Sequence, residues 1–234
     1  MKKMSLSVLT ALLLCHPCFV PAASAITGQA VLSEIQNRYD STSDLEARFV
    51  QEFIGKVMRQ PQKGEGVVYF KKKGMMRWDY RVPNQKFISN GQVVWYYQPD
   101  ENQVLLYDLS SLVQEKTPLA FLAGEGNLSR DFGLVNFNEA VSAKEENYVV
   151  ELVPKEPHAG LSKLVLSVDK KTYYIHQVDV IDGLGNVTRT RFMDIKTNLG
   201  LQSSLFNFSI PPGAEVLKVQ EPQSSSPGKG PKAK

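Results

Sequence analysis

One helical stretch opens the chain, and after it apolar and polar residues alternate with period two almost to the end. Val31, Leu32, Ile35 and Tyr39 recur at helical spacing behind Thr27, a good N-cap residue, which predicts an amphipathic helix over 28–40. From Leu45 the period changes: Leu45, Ala47, Phe49, Gln51 and Phe53 fall on alternate positions, the signature of a strand with two unlike faces. Met76, Trp78 and Tyr80 alternate with Met75, Arg77 and Asp79 in the same way. Turn residues divide the chain from Gly64 to Asp108 into predicted strands at 64–72, 75–81, 85–89, 92–98 and 102–108. Asn90-Gly91 lies between two of these runs and predicts a type I′ hairpin, whose two central residues both need positive φ.

The pattern breaks at 109–143. Within the break, Thr117-Pro118-Leu119-Ala120-Phe121-Leu122 offers a cap, a proline at the first helical position and an apolar run, so a short helix is expected there. Strands resume at 147–153, 162–168, 172–181, 186–194 and 204–209, with turns at 168–172 and 182–186. The predicted class is mainly β with some α. About 10–11 antiparallel strands at this spacing make an unclosed barrel or strongly curved sheet, with helices packed on one face. Both tryptophans and a dense set of other large aromatics fall in 64–109, where an apolar binding surface is the natural reading. From Glu221 the chain is Pro, Ser, Gly and Lys, a tail with too little apolar surface to fold, so a single domain is expected over 26–220.

Residues 1–25 read as a secretory signal peptide. Lys2 and Lys3 supply the positive start, Leu6–Leu14 most of a short apolar core, and Ala23-Ser24-Ala25 a small-residue cleavage site. That core is too short to span a bilayer comfortably. Cleavage before Ile26 removes both cysteines, Cys15 and Cys18, neither of which sits in a lipid-attachment context. It also lowers the formal charge from +3 to +1, a balance that gives nucleic acid no reason to bind. A soluble exported monomer is expected. Lys71-Lys72-Lys73 reads as a solvated strand end.

The pattern offers little chemistry. His158 and His176 are far apart and lack partners, and no nucleophile elbow, phosphate loop or dinucleotide fingerprint occurs. No catalytic residue, metal or cofactor is expected. An enzyme, a lipid-processing one included, is therefore the weaker alternative to a binding protein.

Several motifs in order resemble one family. They are Phe49-x-Gln51, Gly64-x-Gly66 leading into Tyr69-Phe70-Lys71, Met76-Arg77-Trp78-x-Tyr80 followed by Pro83, and Ile88-Ser89-Asn90-Gly91 running to Trp95-x-Tyr97-x-Pro99. Thr117-Pro118-x-x-x-Leu122 and a closing Phe206-x-Phe208-x-x-Pro211 complete the set. Together they resemble the periplasmic outer-membrane lipoprotein carrier family, LolA. The resemblance implies an unclosed barrel lidded by helices, with an apolar cavity for the acyl chains of a lipoprotein in transit. It implies as partners acylated lipoproteins, an inner-membrane lipoprotein-releasing ABC transporter and, where the pathway has one, an outer-membrane receptor. Same-fold receptors and periplasmic lipid or lipoprotein sensors are the alternatives. On this resemblance Phe49, Tyr69, Met76, Trp78, Ile88, Trp95, Leu119, Phe121 and Leu122 are the cavity and lid residues, with plain core packing the alternative for each. The family often carries Arg-Pro after the Tyr69-Phe70-Lys71 strand, the Arg being associated with holding the lid. Lys72 and Lys73 stand there instead, so Lys72 is the candidate latch, expected to bond a carbonyl of the 117–126 segment.

Overall fold

The computed structural model describes residues 26–110, 126–138, 147–156 and 160–219. Helix α1 spans Gly28–Ser41. The Thr27 hydroxyl accepts the Ala30 amide at 3.2 Å, satisfying one of the free donors at the helix start. The helix stops at Thr42, which is extended and whose hydroxyl donates to the Arg38 carbonyl at 2.8 Å. Its stripe of Val31, Leu32 and Ile35 is buried against the sheet.

The sheet has twelve strands: β1 (Asp44–Ile54), β2 (Gln62–Lys71), β3 (Met75–Val82), β4 (Gln85–Asn90), β5 (Val93–Gln98), β6 (Gln103–Asp108), β7 (Phe132–Phe137), β8 (Asn147–Pro154), β9 (Lys163–Asp169), β10 (Ile175–Ile181), β11 (Val187–Thr197) and β12 (Glu215–Lys218). A one-turn helix α2 (Leu128–Asp131) leads into β7. Spatial order is β12-β6-β5-β4-β3-β2-β1-β11-β10-β9-β8-β7. Two meanders, β1–β6 and β7–β11, are thus joined along β1 and β11, with Phe49 opposite Phe192 and Gln51 opposite Thr190. All pairings are antiparallel except β12 on β6. Among the described residues β12 and β7 are the free edges, so the sheet is an unclosed barrel, as the pattern predicted.

Register shifts in the β1–β11, β2–β3, β9–β10 and β7–β8 pairs mark bulges, each of which bends and twists the sheet. At Gly66, beside the β2–β3 shift, a Cβ would lie 2.0 Å from the Asp79 carbonyl oxygen, so only glycine fits.

Four expectations need correction. Strand β7 lies in the segment assigned to a break, and β12 has no counterpart among the expected strands. Residues 204–209 are not a strand: Ser203–Phe206 is a 3-10 turn, and the chain there lies on the sheet without pairing to it. The hairpin at Asn90-Gly91 is not type I′. Only Gly91 has positive φ, and the Asn90 side chain accepts the Gln92 and Val93 amides at 2.9 Å each. The double positive φ occurs at Lys73-Gly74 in the neighbouring β2–β3 turn. The two turns touch, because a Cβ on Gly91 would sit 2.4 Å from the Lys73 carbonyl oxygen. The expected helix at 117–122, with Leu119, Phe121 and Leu122, and His158 lie outside the described residues.

Candidate functional site

Alternation gives the sheet two apolar faces, and the candidate residues divide between them. On the face that α1 covers, the inner face, Phe49 from β1, Met76 and Trp78 from β3, and Phe70 from β2 are almost wholly buried. The Phe49 ring meets Trp78 at 4.7 Å and Tyr80 at 4.8 Å, both edge-on, and Phe70 meets Trp78 at 5.7 Å. Phe192 of β11 approaches Trp78 at 6.1 Å, which carries the aromatic cluster across the junction of the two meanders. Edge-on pairs of this kind contribute roughly 0.5–1.5 kcal/mol each beyond the area they bury.

Toward one side the cluster thins. Tyr80, Phe87 and Tyr107 on the first meander and Leu134 and Val180 on the second pack against the core but stay partly exposed. A short polar relay crosses this region: Tyr80 Oη donates to Gln51 Oε1 at 3.1 Å, and Gln51 Nε2 donates to Thr190 Oγ1 at 3.0 Å. Burial pushes the Tyr80 phenol up to about 12, so it remains a neutral donor at any physiological pH. Trp78 Nε1 is buried and has no acceptor among the described residues. An unsatisfied buried donor costs roughly 1–3 kcal/mol, so the packing here is favourable in its apolar contacts and unfavourable at one atom.

Under α1, an apolar crevice lined by Tyr39, Leu45, Phe70, Ile175, Phe192 and Ile195 has room for about one water molecule, far short of an acyl chain.

Tyr69, Ile88 and Trp95 are on the other side. Ile88 pairs with Arg77 and Trp95, and Tyr69 with Arg77, which places all three opposite to Trp78. They do not share a pocket with Phe49 and Met76, contrary to the expectation of one continuous cavity. Register puts them on the outer face, and the segment after β11 crosses and covers that face. Phe206 is completely buried there with Ile88 and Val104, and Phe208 lies 5.3 Å from Tyr97 and 6.4 Å from Trp95. Arg77 Nη1 donates to the Leu205 carbonyl at 3.0 Å. The buried Asp44 carboxylate accepts the Leu199, Gly200 and Leu201 amides at 2.7, 3.0 and 3.1 Å. The outer layer is a second, separate core.

The basic run at the end of β2 ties both layers down. Lys71 Nζ donates to the Leu201 carbonyl in the outer segment, and Lys72 Nζ donates to the Asp40 carbonyl in the last turn of α1. Adjacent strand residues point to opposite faces, so one dipeptide grips a layer on each side. These two lysines are therefore not simply solvated; Lys72 is bonded to α1, and residues 117–125 of the segment it was expected to bond lie outside the described residues. Further ties on α1 include Arg38, whose Nε donates to the Thr172 carbonyl at 2.7 Å and whose guanidinium lies over the Tyr174 ring, and Gln36, whose Oε1 accepts the Leu128 amide at 3.0 Å. Among the described residues no group of three or more His, Cys, Asp or Glu side chains is placed to hold a metal, and no helix is long and apolar enough to cross a membrane.

Residues 40–209 match the family model of the outer membrane lipoprotein carrier protein LolA. The chain is 30% identical over 187 residues to the outer-membrane lipoprotein carrier protein of Methylococcus capsulatus, covering 80% of this chain and 86% of that one. To the protein of that name from Pseudomonas paraeruginosa it is 29% identical over 190 residues, covering 81% and 88%. Among solved structures, an uncharacterized conserved protein from Thermus thermophilus shares the fold, with a TM-score of 0.51 at 14% identity, over 82% of this chain and 98% of that one.

Proposed function

The chain belongs to the LolA family and has the role of a LolA-type lipoprotein carrier, and from that premise we infer that its inner face is where the acyl chains of the cargo lie. The observation that carries the inference is the inner face itself: an unclosed sheet, apolar from one meander to the other, covered over part of its width by a helix tied down at its C-terminal end. Cargo of this kind needs cover. Each exposed CH₂ costs about 0.8 kcal/mol in water, so a triacylated anchor costs tens of kcal/mol unless its chains are shielded. In the empty carrier, burial of Phe49, Met76 and Trp78 hides an apolar patch that would otherwise cause association.

Loading requires α1 to move off the inner face, which breaks the Lys72 and Arg38 ties among others. Met76 adapts to chains of different shape because its side chain is flexible and polarizable. The unsatisfied Trp78 N–H gains an acceptor when an ester or amide carbonyl of the anchor enters. The ties of α1 are individual hydrogen bonds, so differential binding of acyl chains can shift the equilibrium between closed and open forms. Leu119, Phe121 and Leu122 are assigned to the same cover.

This work is binding and release and needs no covalent step. The protein acts in the periplasm after cleavage before Ile26, as one domain over 26–220. It takes cargo from an inner-membrane ABC transporter and delivers it to an outer-membrane receptor where one exists. Purification from the periplasm followed by mass spectrometry of the bound material tests the reading. Acylated lipoproteins should co-purify with the wild type and be depleted in a Trp78→Glu variant that still folds. Material lacking acyl chains, or none at all during active lipoprotein export, would refute it.

A further inference from the structure

One rim of the sheet breaks the rule that turns are polar. The β1–β2 turn reads Gly55-Lys56-Val57-Met58-Arg59, with Val57 96% exposed and Met58 exposed beside it. The β10–β11 turn, Asp182–Asn186, carries Leu184 at 77% exposure. Both turns are held rigidly by hydrogen bonds. The Met58 amide donates to the Gly55 carbonyl at 3.0 Å, and the Asp182 carboxylate accepts the Leu184 and Asn186 amides at 2.9 Å each. They are also joined to one another, because the Lys56 amide donates to Asn186 Oδ1 at 3.0 Å. Val57, Met58 and Leu184 therefore form one apolar ridge in which the Lys56, Met58 and Leu184 amides are already engaged.

Cations surround the ridge. Lys56 and Arg59 are exposed and pair with no carboxylate among the described residues, and Lys63 makes only a loose 3.8 Å contact with Glu52. Apolar tips with free cations at their flanks match a bilayer surface, where the tips enter the headgroup boundary and the cations meet lipid phosphates. The ridge is also continuous with the inner face: Ile54 and Val187, paired at the ends of their strands, lead to Phe53, which by alternation lies on the same face as Phe49.

We propose that this rim docks the carrier on an anionic bilayer surface, so that acyl chains pass between membrane and inner face without crossing open water. The proposal rests on the carrier reading for its purpose and on the ridge alone for its chemistry. The test is flotation of the full chain with vesicles of phosphatidylethanolamine and phosphatidylglycerol, against vesicles of phosphatidylcholine alone. Binding should favour the anionic vesicles and weaken with added salt. Val57→Asp combined with Leu184→Asp should lower the partition constant by about tenfold or more. Lys56→Ala and Arg59→Ala should each lower it about fivefold at low ionic strength. All these variants should melt like the wild type and keep their affinity for a fluorescent fatty acid in solution, because the changes are at exposed turn positions.

If the wild type binds neither vesicle, docking is overturned while the carrier reading stands. Loss of fatty-acid binding together with vesicle binding would assign the rim to the cargo site and overturn it too. Variants that still bind vesicles but no longer transfer lipoprotein would mean that the rim meets a protein, which also overturns it.

Discussion

Phe206 and Phe49 make a matched pair of perturbations. Each ring is fully buried, but Phe206 lies in the outer layer and Phe49 on the inner face against Trp78 and Tyr80. Truncating a buried Phe to Ala costs roughly 3–5 kcal/mol, from lost transfer free energy plus the cavity left behind. For a domain of this size each kcal/mol lowers Tm by about 2–4 °C, so Phe206→Ala and Phe49→Ala should each lower Tm by roughly 6–20 °C. Their effects on ligand binding should differ. Phe206→Ala removes nothing from the inner face, so its Kd for a fluorescent fatty acid, measured well below the lowered Tm, should stay within about threefold of wild type, under 1 kcal/mol. Phe49→Ala alters the contact surface of the cargo itself and should change Kd by about tenfold or more. Thermal melts and fluorescence titrations of the two variants suffice. If Phe206→Ala changes affinity as much as Phe49→Ala, the two layers are not independent and the assignment of cargo to one face fails.

The ties and turns give three further outcomes. Lys72→Leu removes one bond from an exposed lysine to the end of α1, worth roughly 0.5–1.5 kcal/mol, so cargo binding should persist while the rate of lipoprotein transfer changes by about 2–10-fold; equal rates would show that this tie does not hold the cover. Asp44→Ala strands three backbone amides and should cost roughly 2–4 kcal/mol, with faster hydrogen exchange confined at first to Leu199–Leu201; unchanged exchange there would refute the anchor. The bonds from Asn186 and the turn amides hold the Asp182 carboxyl below the usual carboxylate range. Desolvation acts against the same lowering at Asp169, but the bonds from Thr172 and Lys171 outweigh it. Both groups give up protons more readily folded than unfolded, so their stabilisation is full above the unfolded-state value and fades as pH falls through the folded one. Asp169→Asn with Asp182→Asn should therefore flatten the acid limb of the stability curve while leaving its neutral plateau lower; an unchanged acid limb would refute the assignment.

Much of the fold is legible in the sequence because its signals are local. The cap at Thr27, the helical spacing to Tyr39 and the alternation from Leu45 to Asp108 each need only neighbouring residues, and α1 and β1–β6 agree with them within a residue or two at their bounds. What alternation reports is an extended chain, not a paired one, and Phe206-x-Phe208 shows the difference: the same period marks a segment lying across a sheet. Strand β12 is invisible for the converse reason. Its four residues are exposed, and only the β6 backbone defines it. The candidate site divides for a related cause. That Ile88 and Trp95 point away from Trp78 comes from counting parity through the β3–β4 turn, but that their side is also buried depends on residues more than a hundred positions later. An apolar residue in a strand names a covered face without saying which one.

The seam between β1 and β11 also sets the order in which this molecule can come into being. β1 is among the first elements of the folded domain to be made, and it lies in the middle of the sheet, yet one of its two edges stays open until β11 arrives near the far end of the chain. Until then the first meander exposes a row of unpaired amides and carbonyls beside Phe49 and Phe53, the kind of edge that templates association with other chains. Closing it requires a contact spanning most of the domain, which makes folding slow for a protein of this length. A chain truncated before Val187 keeps α1 and β1–β10 but loses its seam, so it should aggregate rather than fold into a smaller carrier.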